Sequence, residues 1–313
     1  MAILKLRPSC KDYLWGGQKL ITDFHKKYEG KVLAETWELS CHKDGASYIA
    51  DGEYAEKSLE EYILMRGKKV LGEYAEKFRQ FPILIKFIDA AQDLSIQVHP
   101  DDKFALENEQ QYGKTEMWYV VDCEPGASLY YGFSREVGLD ELRERIQNHT
   151  LPEVLNKVYV KKGDTFFIEP GTIHAIGKGC VIAEIQQNSN VTYRVYDYGR
   201  KDKDGHEREL HIEKALRVTK RIPERRQKSF APHIASCGYF TVDKLVLDGK
   251  LMKKIEGTVD SSTFVNLLVL DGAGMVTAEK EQSAFRKGDS LLVTAGTGKY
   301  TLEGSCEILV TTL

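Results

Sequence analysis

The segment DLSIQVHPDDKF, residues 93–104, carries the first residues whose types and spacing could do chemistry. Successive side chains of a strand point to opposite faces, so Gln97 and His99 share one face while Ile96 and Val98 take the other. A carboxamide and an imidazole side by side, followed at once by Pro100 and two acids, make either a polar surface or a site. Two more polar groups stand in otherwise apolar strand sequence: Glu116 heads EMWYVV, and His174 follows the turn EPGT. Neutral imidazoles with a carboxylate suit a divalent transition metal, and three or four protein ligands with one open position suit catalysis.

The elements that would position these groups are mostly short strands. ILIKFIDA, LSIQVH, EMWYVVD, KVYV, DTFFIE, VIAEIQQ and VTYRVYDY alternate or run apolar between Gly, Asp and Pro turns, as do YFTVDKLVL, STFVNLLVLD, SLLVTA and EILVTT further on. Helical spacing with polar starts is confined to 58–66, 101–110, 139–149 and 211–219. Many short strands with regular turn signals predict a sandwich or barrel. The pentamer EYAEK occurs at 53 and again at 73, but two copies make no solenoid.

A longer repeat is more informative. KKGDTFFIEPGTIHAIGKG (161–179) and RKGDSLLVTAGTGKYTLEG (286–304) align without gaps, sharing Gly163/Gly288, Asp164/Asp289, Gly171/Gly296 and Thr172/Thr297. Upstream lie the similar strand-turns EMWYVVDCEPG (116–126) and FVNLLVLDGAG (264–274). One all-β unit is therefore expected twice, with the first copy expanded by the helix at 139–149. Where the first copy has His174 the second has Lys299, and around Glu116 the second is apolar, with Phe264 and Val265. The second copy is expected to be structural. A linker is expected at 221–236, where prolines join a basic run, which divides the chain into a metal-binding domain, 1–230, and a second domain, 231–313.

Composition excludes several classes of function. A hydrophobic content of 42% in 313 residues is enough for real cores, and 44 basic residues well mixed with 47 acidic ones leave no basic stripe for nucleic acid. There is no apolar run long enough for a signal peptide or a membrane span, so a cytoplasmic protein is expected. The six cysteines are scattered singly and read as reduced thiols.

The pattern Gly163-x5-Glu169-Pro170-Gly171-x2-His174 resembles the second sequence motif of cupin barrels, with Gln97-x-His99 and Glu116 in the place of the first. The expected fold is mainly β: two cupin-type jelly-roll barrels or sandwiches, with a few short helices inserted in and around the first. Together QVHPDD, GKTEMWY, PGTIHAIGKG and the arginine of VTYRVYDY resemble type I mannose-6-phosphate isomerases of the short bacterial form. The likeness runs from YLWGG (13–17) through ETWELS (35–40) to VYDYGR (195–200).

That resemblance implies one zinc held by Gln97, His99, Glu116 and His174, and interconversion of mannose 6-phosphate and fructose 6-phosphate. It also implies Arg194 as catalytic arginine and Lys114 as active-site lysine. Proton transfer between C1 and C2 through a cis-enediol needs a polarised carbonyl and a group that moves one proton. Ser95, Lys86 and Arg200 are candidates for the sugar phosphate, and Trp15 and Glu38 could line the pocket or simply pack. Asn190 stands where the family is expected to carry an acid, four residues before Arg194; Glu184 is the nearest acid on the same strand system. A monomer or small homo-oligomer acting on a small sugar phosphate, away from membranes, is the expected setting. A cupin oxygenase with iron, a different sugar-phosphate isomerase and a non-catalytic sugar-phosphate sensor are the alternatives.

Overall fold

The computed structural model describes residues 2–201, 205–224 and 229–313. Residues 225–228 of the expected linker, and residues 202–204, lie outside the described residues. Contacts divide the chain into two units, one of Asp12–Gly17 and Ile88–Lys228, the other of Met1–Lys11, Gln18–Phe87 and Ser229–Leu313. Of the four boundaries, 11/12, 17/18, 87/88 and 228/229, the last lies beside the division expected at 230/231 and the third cuts the strand Ile83–Ala90.

The first unit contains a five-stranded sheet ordered Leu155–Tyr159, Ser128–Phe133, His174–Ile176, Ile96–Val98, Tyr193–Tyr196. Alternation decides its two faces. Ile96 and Val98 point into an apolar layer with Val195, Leu142 and Ile146 of the helix Leu139–Gln147, and Ala215 and Leu216 of the helix Ile212–Val218. Gln97 and His174 are cross-strand partners, as are Gln97 and Arg194, so these three leave the opposite face. A second layer pairs Thr165–Ile168 with Glu116–Cys123 and Glu116–Cys123 with Cys180–Gln187, all antiparallel.

The two acids after QVHP have separate local tasks. Asp101 caps the helix Asp102–Glu109, its side chain accepting from Phe104 N. Asp102 accepts from Gly113 N and from Gln187 Nε2, while Gln187 Oε1 accepts from Thr115 N, which ties the chain entering Glu116 to the strand beside it. The other expected helices form as Leu59–Arg66, Leu139–Gln147 and Ile212–Val218. Leu59–Arg66 opens on a capping box in which Ser58 Oγ accepts from Glu61 N and the Glu61 carboxylate accepts from Ser58 N.

The other unit is built on a nine-stranded sheet, most of it from the second copy of the repeat. The strand Ile3–Arg7 joins it from the far end of the sequence, with Ile3 opposite Val293 and Leu6 opposite Ser290. Ile3, Leu247, Val265, Leu267, Val269, Leu291, Val293 and Ile308 form one apolar core. The sheets are open and sandwich-like rather than closed barrels, so of the two expected forms the sandwich is the one adopted. Among the described residues no helix is long and apolar enough to cross a membrane.

Candidate metal centre

Two turns bring the separated motifs together. Gly171, at φ +86°, donates its N–H to the carbonyl of His99, which sets the EPGT turn against QVHP. A side chain at Gly171 would be strained by that backbone angle, and its Cβ would lie 2.7 Å from the carbonyl oxygen of Val218. Lys114 N donates to the carbonyl of Pro100, which delivers Lys114 and Glu116 to the same place.

His99, Glu116 and His174 are all buried, and their candidate ligand atoms lie within 4.8 Å of one another. His99 Nδ1 is 2.9 Å from the carbonyl oxygen of Val191, and His174 Nδ1 is 2.9 Å from that of Thr172. A carbonyl only accepts, so both rings carry their proton on Nδ1 and turn the Nε2 lone pair inward. The two Nε2 atoms are 3.2 Å apart; Glu116 lies 3.4 Å from His174 and 3.5 Å from His99. Burial pushes the His174 pKa down to about 4, which keeps its ring neutral and its lone pair available.

A divalent metal fits this donor set. Two nitrogen lone pairs and a carboxylate converge in a buried space, a donor set that suits a divalent transition metal. The two histidines approach different oxygens of Glu116, and all three residues are close enough together to share one ion. Gln97 stands between His174 and Arg194 on the same sheet face, where its carboxamide can complete the set.

Lys114 and Glu184 adjoin the cluster. Lys114 Nζ pairs with the Glu116 carboxylate, lies 3.1 Å from His99 Nε2 and 3.7 Å from Glu184. Glu184 also accepts from Trp118 Nε1 at 3.0 Å, and the Trp118 ring meets His174 edge-on at 5.3 Å. With these groups in their ordinary ionised forms, one lysine faces two carboxylates, so a divalent ion would turn the net charge of the centre from −1 to +1.

Arg194 is half-buried, and its Nη1 donates to the carbonyl of Glu209. Burial and the neighbouring Arg208 and Arg200 hold its pKa below the ordinary guanidinium value, with Asp197 acting in the opposite direction. Arg200 and Arg208 both pair with Asp197, and Arg200 Nη1 also donates to the carbonyl of Asp93. Arg200 is thus half-buried and held by a carboxylate.

The remaining candidates are dispersed. Ser95 is buried immediately before Ile96–Val98, two residues from Gln97. Trp15 is buried against Tyr13, with its carbonyl accepting from Gln92 N, and Asn190 is exposed. Lys86 and Glu38 belong to the other contact unit, where Lys86 is 3.6 Å from Glu35 and 5.1 Å over the Trp37 ring. There the fully buried Glu38 pairs with Lys26 at 2.6 Å. Trp118 was not legible as a site neighbour; its signal is the cross-strand pairing with Glu184, which no single segment displays.

Comparison with known proteins agrees with this architecture. The family model described as phosphomannose isomerase type I, catalytic domain, matches residues 3–122, and that described as mannose-6-phosphate isomerase, cupin domain, matches residues 232–313. Mannose-6-phosphate isomerase ManA of Bacillus subtilis is 36% identical over 99% of this chain and 98% of its own. The mannose-6-phosphate isomerase of Streptococcus mutans is 36% identical over 95% of this chain and 93% of its own. The crystal structure of the mannose 6-phosphate isomerase from Bacillus subtilis superposes with a TM-score of 0.90 at 32% identity, covering 100% of both chains. With that identity along nearly the whole length of both chains, this chain belongs to the type I mannose-6-phosphate isomerase family.

Proposed function

We propose that the chain is a metal-dependent aldose-ketose isomerase that interconverts mannose 6-phosphate and fructose 6-phosphate through a cis-enediol. The observation that carries this reading is the buried His99–Glu116–His174 cluster, whose imidazoles are both held with Nε2 facing inward, with Lys114 and Glu184 against it. Zinc, one per chain and held by these three residues with Gln97, would supply Lewis acidity and orient the oxygens at C1 and C2. A mannose 6-phosphate isomerase structure bound with zinc and yttrium, which shares the fold with a TM-score of 0.75 at 18% identity, is consistent with this choice of metal.

The chain's own residues supply the rest. Lys114, packed between Glu116 and Glu184, is placed to hold or pass the proton that moves between C1 and C2. Glu184 has the complementary role of taking the proton from one carbon and returning it to the other, the task expected of an acid at position 190. Arg194, beside Gln97, carries a fixed positive charge toward the enediolate oxygen as charge develops there. Arg200 and Ser95 are assigned to the phosphate end of the sugar, with Lys86, Trp15, Glu38 and Asn190 in outer roles. The cytoplasm, and residues 1–230 as the catalytic portion, complete the proposal.

The test is the rate of fructose 6-phosphate formation from mannose 6-phosphate by protein as purified, after chelation, and after zinc is returned. Activity is expected to vanish with the chelator and to return with zinc. A folded, zinc-loaded protein with no activity would reject the reading.

A further inference from the structure

The strand Cys180–Gln187 brings one more polar group to the centre. Gln186 lies directly opposite Glu116 in the antiparallel register, so both side chains leave the same face of their sheet. Glu184, two residues earlier on that face, is the residue that meets Trp118 and Lys114. The orientation of the Gln186 carboxamide is determined: Nε2 donates to the carbonyl oxygens of Gln187 and Ser189, both at 2.7 Å. Two carbonyls can be served only by the nitrogen end, which leaves Oε1 as an acceptor. Gln186 is 0% exposed and its Oε1 has no hydrogen-bond partner.

A buried amide oxygen is seldom left unpaired. The centre beside it is rich in acceptors: Glu116, Glu184 and the two inward Nε2 atoms. The ammonium of Lys114 is already engaged with three of them. Among the described residues none donates to Oε1, and an O–H group brought into the centre would give it a partner. Resting on the proposed isomerase reading, we infer that Gln186 Oε1 is a binding group of the site, which accepts a hydrogen bond from a sugar hydroxyl or from metal-bound water. Gln186 adds an oriented neutral acceptor to a centre otherwise made of charges and metal ligands, and so selects a hydroxyl-bearing ligand over a bare anion.

The experiment compares zinc-loaded wild type, Gln186→Leu and Gln186→Glu. Affinities for mannitol 6-phosphate, a polyol with no carbonyl to isomerise, and for inorganic phosphate are measured by calorimetry, with zinc content and melting temperature alongside. Gln186→Leu is expected to keep its zinc and its phosphate affinity while the preference for the polyol phosphate falls about tenfold, the scale of one hydrogen bond. Gln186→Glu keeps an acceptor but loses both Nε2 bonds, so its melting temperature falls and the preference stays. That variant decides the matter if Gln186→Leu does not fold, since loss of the preference in Gln186→Glu would refute an acceptor role. The visible spectrum of sugar-free, cobalt-loaded protein separates the two donors, because it changes in Gln186→Leu only if bound water uses the same oxygen. A wild-type preference and a wild-type spectrum in Gln186→Leu, with only a lower melting temperature, would overturn the inference. Wild type that takes up zinc but neither isomerises mannose 6-phosphate nor binds the polyol would instead overturn the isomerase reading, and the inference with it.

Discussion

Gly163 and Gly288 both sit at φ +91°, and the hydrogen bonds around them match one for one. Gly163 N donates to Val120 O, Val120 N donates to Asp164 O, and the Asp164 carboxylate accepts from Lys161 N. In the second copy Gly288 N donates to Val269 O, Val269 N to Asp289 O, and Arg286 N to the Asp289 carboxylate. Cross-strand register extends the match, with Glu116 opposite Ile168 where Val265 is opposite Val293. The equivalent of Glu116 is thus Val265 and that of Trp118 is Leu267, a register one residue away from the ungapped alignment of 116–126 with 264–274. A one-residue slip would turn every side chain to the other face, so the buried pattern decides the register. His174 is fully buried while Lys299 is exposed, and the residue before each is the core Ile173 in one and Gly298 in the other. The turn and ladder are properties of the shared backbone, whereas the candidate metal-binding cluster depends on a few substitutions along it.

The largest effect is expected from moving the second copy's residue into the first. His174→Lys should abolish stoichiometric zinc binding and lower kcat/KM by more than about 100-fold, since even neighbours of metal ligands cost that order; metal analysis and the isomerase assay check it. Next, Glu184→Gln keeps the Trp118 contact but removes a charge beside Lys114. It should reduce kcat by about 10–100-fold, within the range of general acid-base contributions, with zinc retained and KM little changed. A Glu184→Gln enzyme with wild-type kcat would remove Glu184 from the proton path.

The matched turns give a third prediction. Gly163→Ala meets only backbone strain, about 1–2 kcal/mol, because the added Cβ finds nothing nearer than Tyr119 Oη at 3.8 Å. Gly288→Ala has the same φ but its Cβ would lie 2.5 Å from the carbonyl oxygen of Phe24, so it should lower the melting temperature more. Equal shifts in thermal denaturation would show that φ alone governs both turns. The smallest effect belongs to Lys299→His, an exposed substitution expected to change stability by less than about 0.5 kcal/mol and to create no second metal site. Two zinc ions per chain in that variant would contradict the assignment of the second copy as structural.

Much of the centre was legible because strand alternation is local geometry. Gln97 and His99 stand in a short alternating segment, Glu116 is the one acid heading an apolar run, and the turn glycines announce themselves by type, since few other residues tolerate their φ. Trp118 and Gln186 were not legible. In an apolar strand a tryptophan reads as core and a glutamine as an isolated polar residue, and only the pairing of Glu116–Cys123 with Cys180–Gln187 makes them neighbours of the site. Arg200 differs, since its partner Asp197 lies only three residues away, and the more distant member of that cluster is Arg208.

The amino-acid sequence by itself determined the strand faces, the helix caps, the duplicated turn and the set of residues able to hold a metal, because each of these follows from covalent geometry over a few residues. Tertiary structure decided what lies across from what. EYAEK forms a 3-10 helix at Glu73–Lys77, where Ser261 O and Ser262 O accept from Glu73 N and Tyr74 N, and a turn at 53–56. Ile3–Arg7 completes a sheet with Ser290–Val293, nearly the whole chain away. Such pairings depend on register and burial summed over distant segments, and no local window contains that sum.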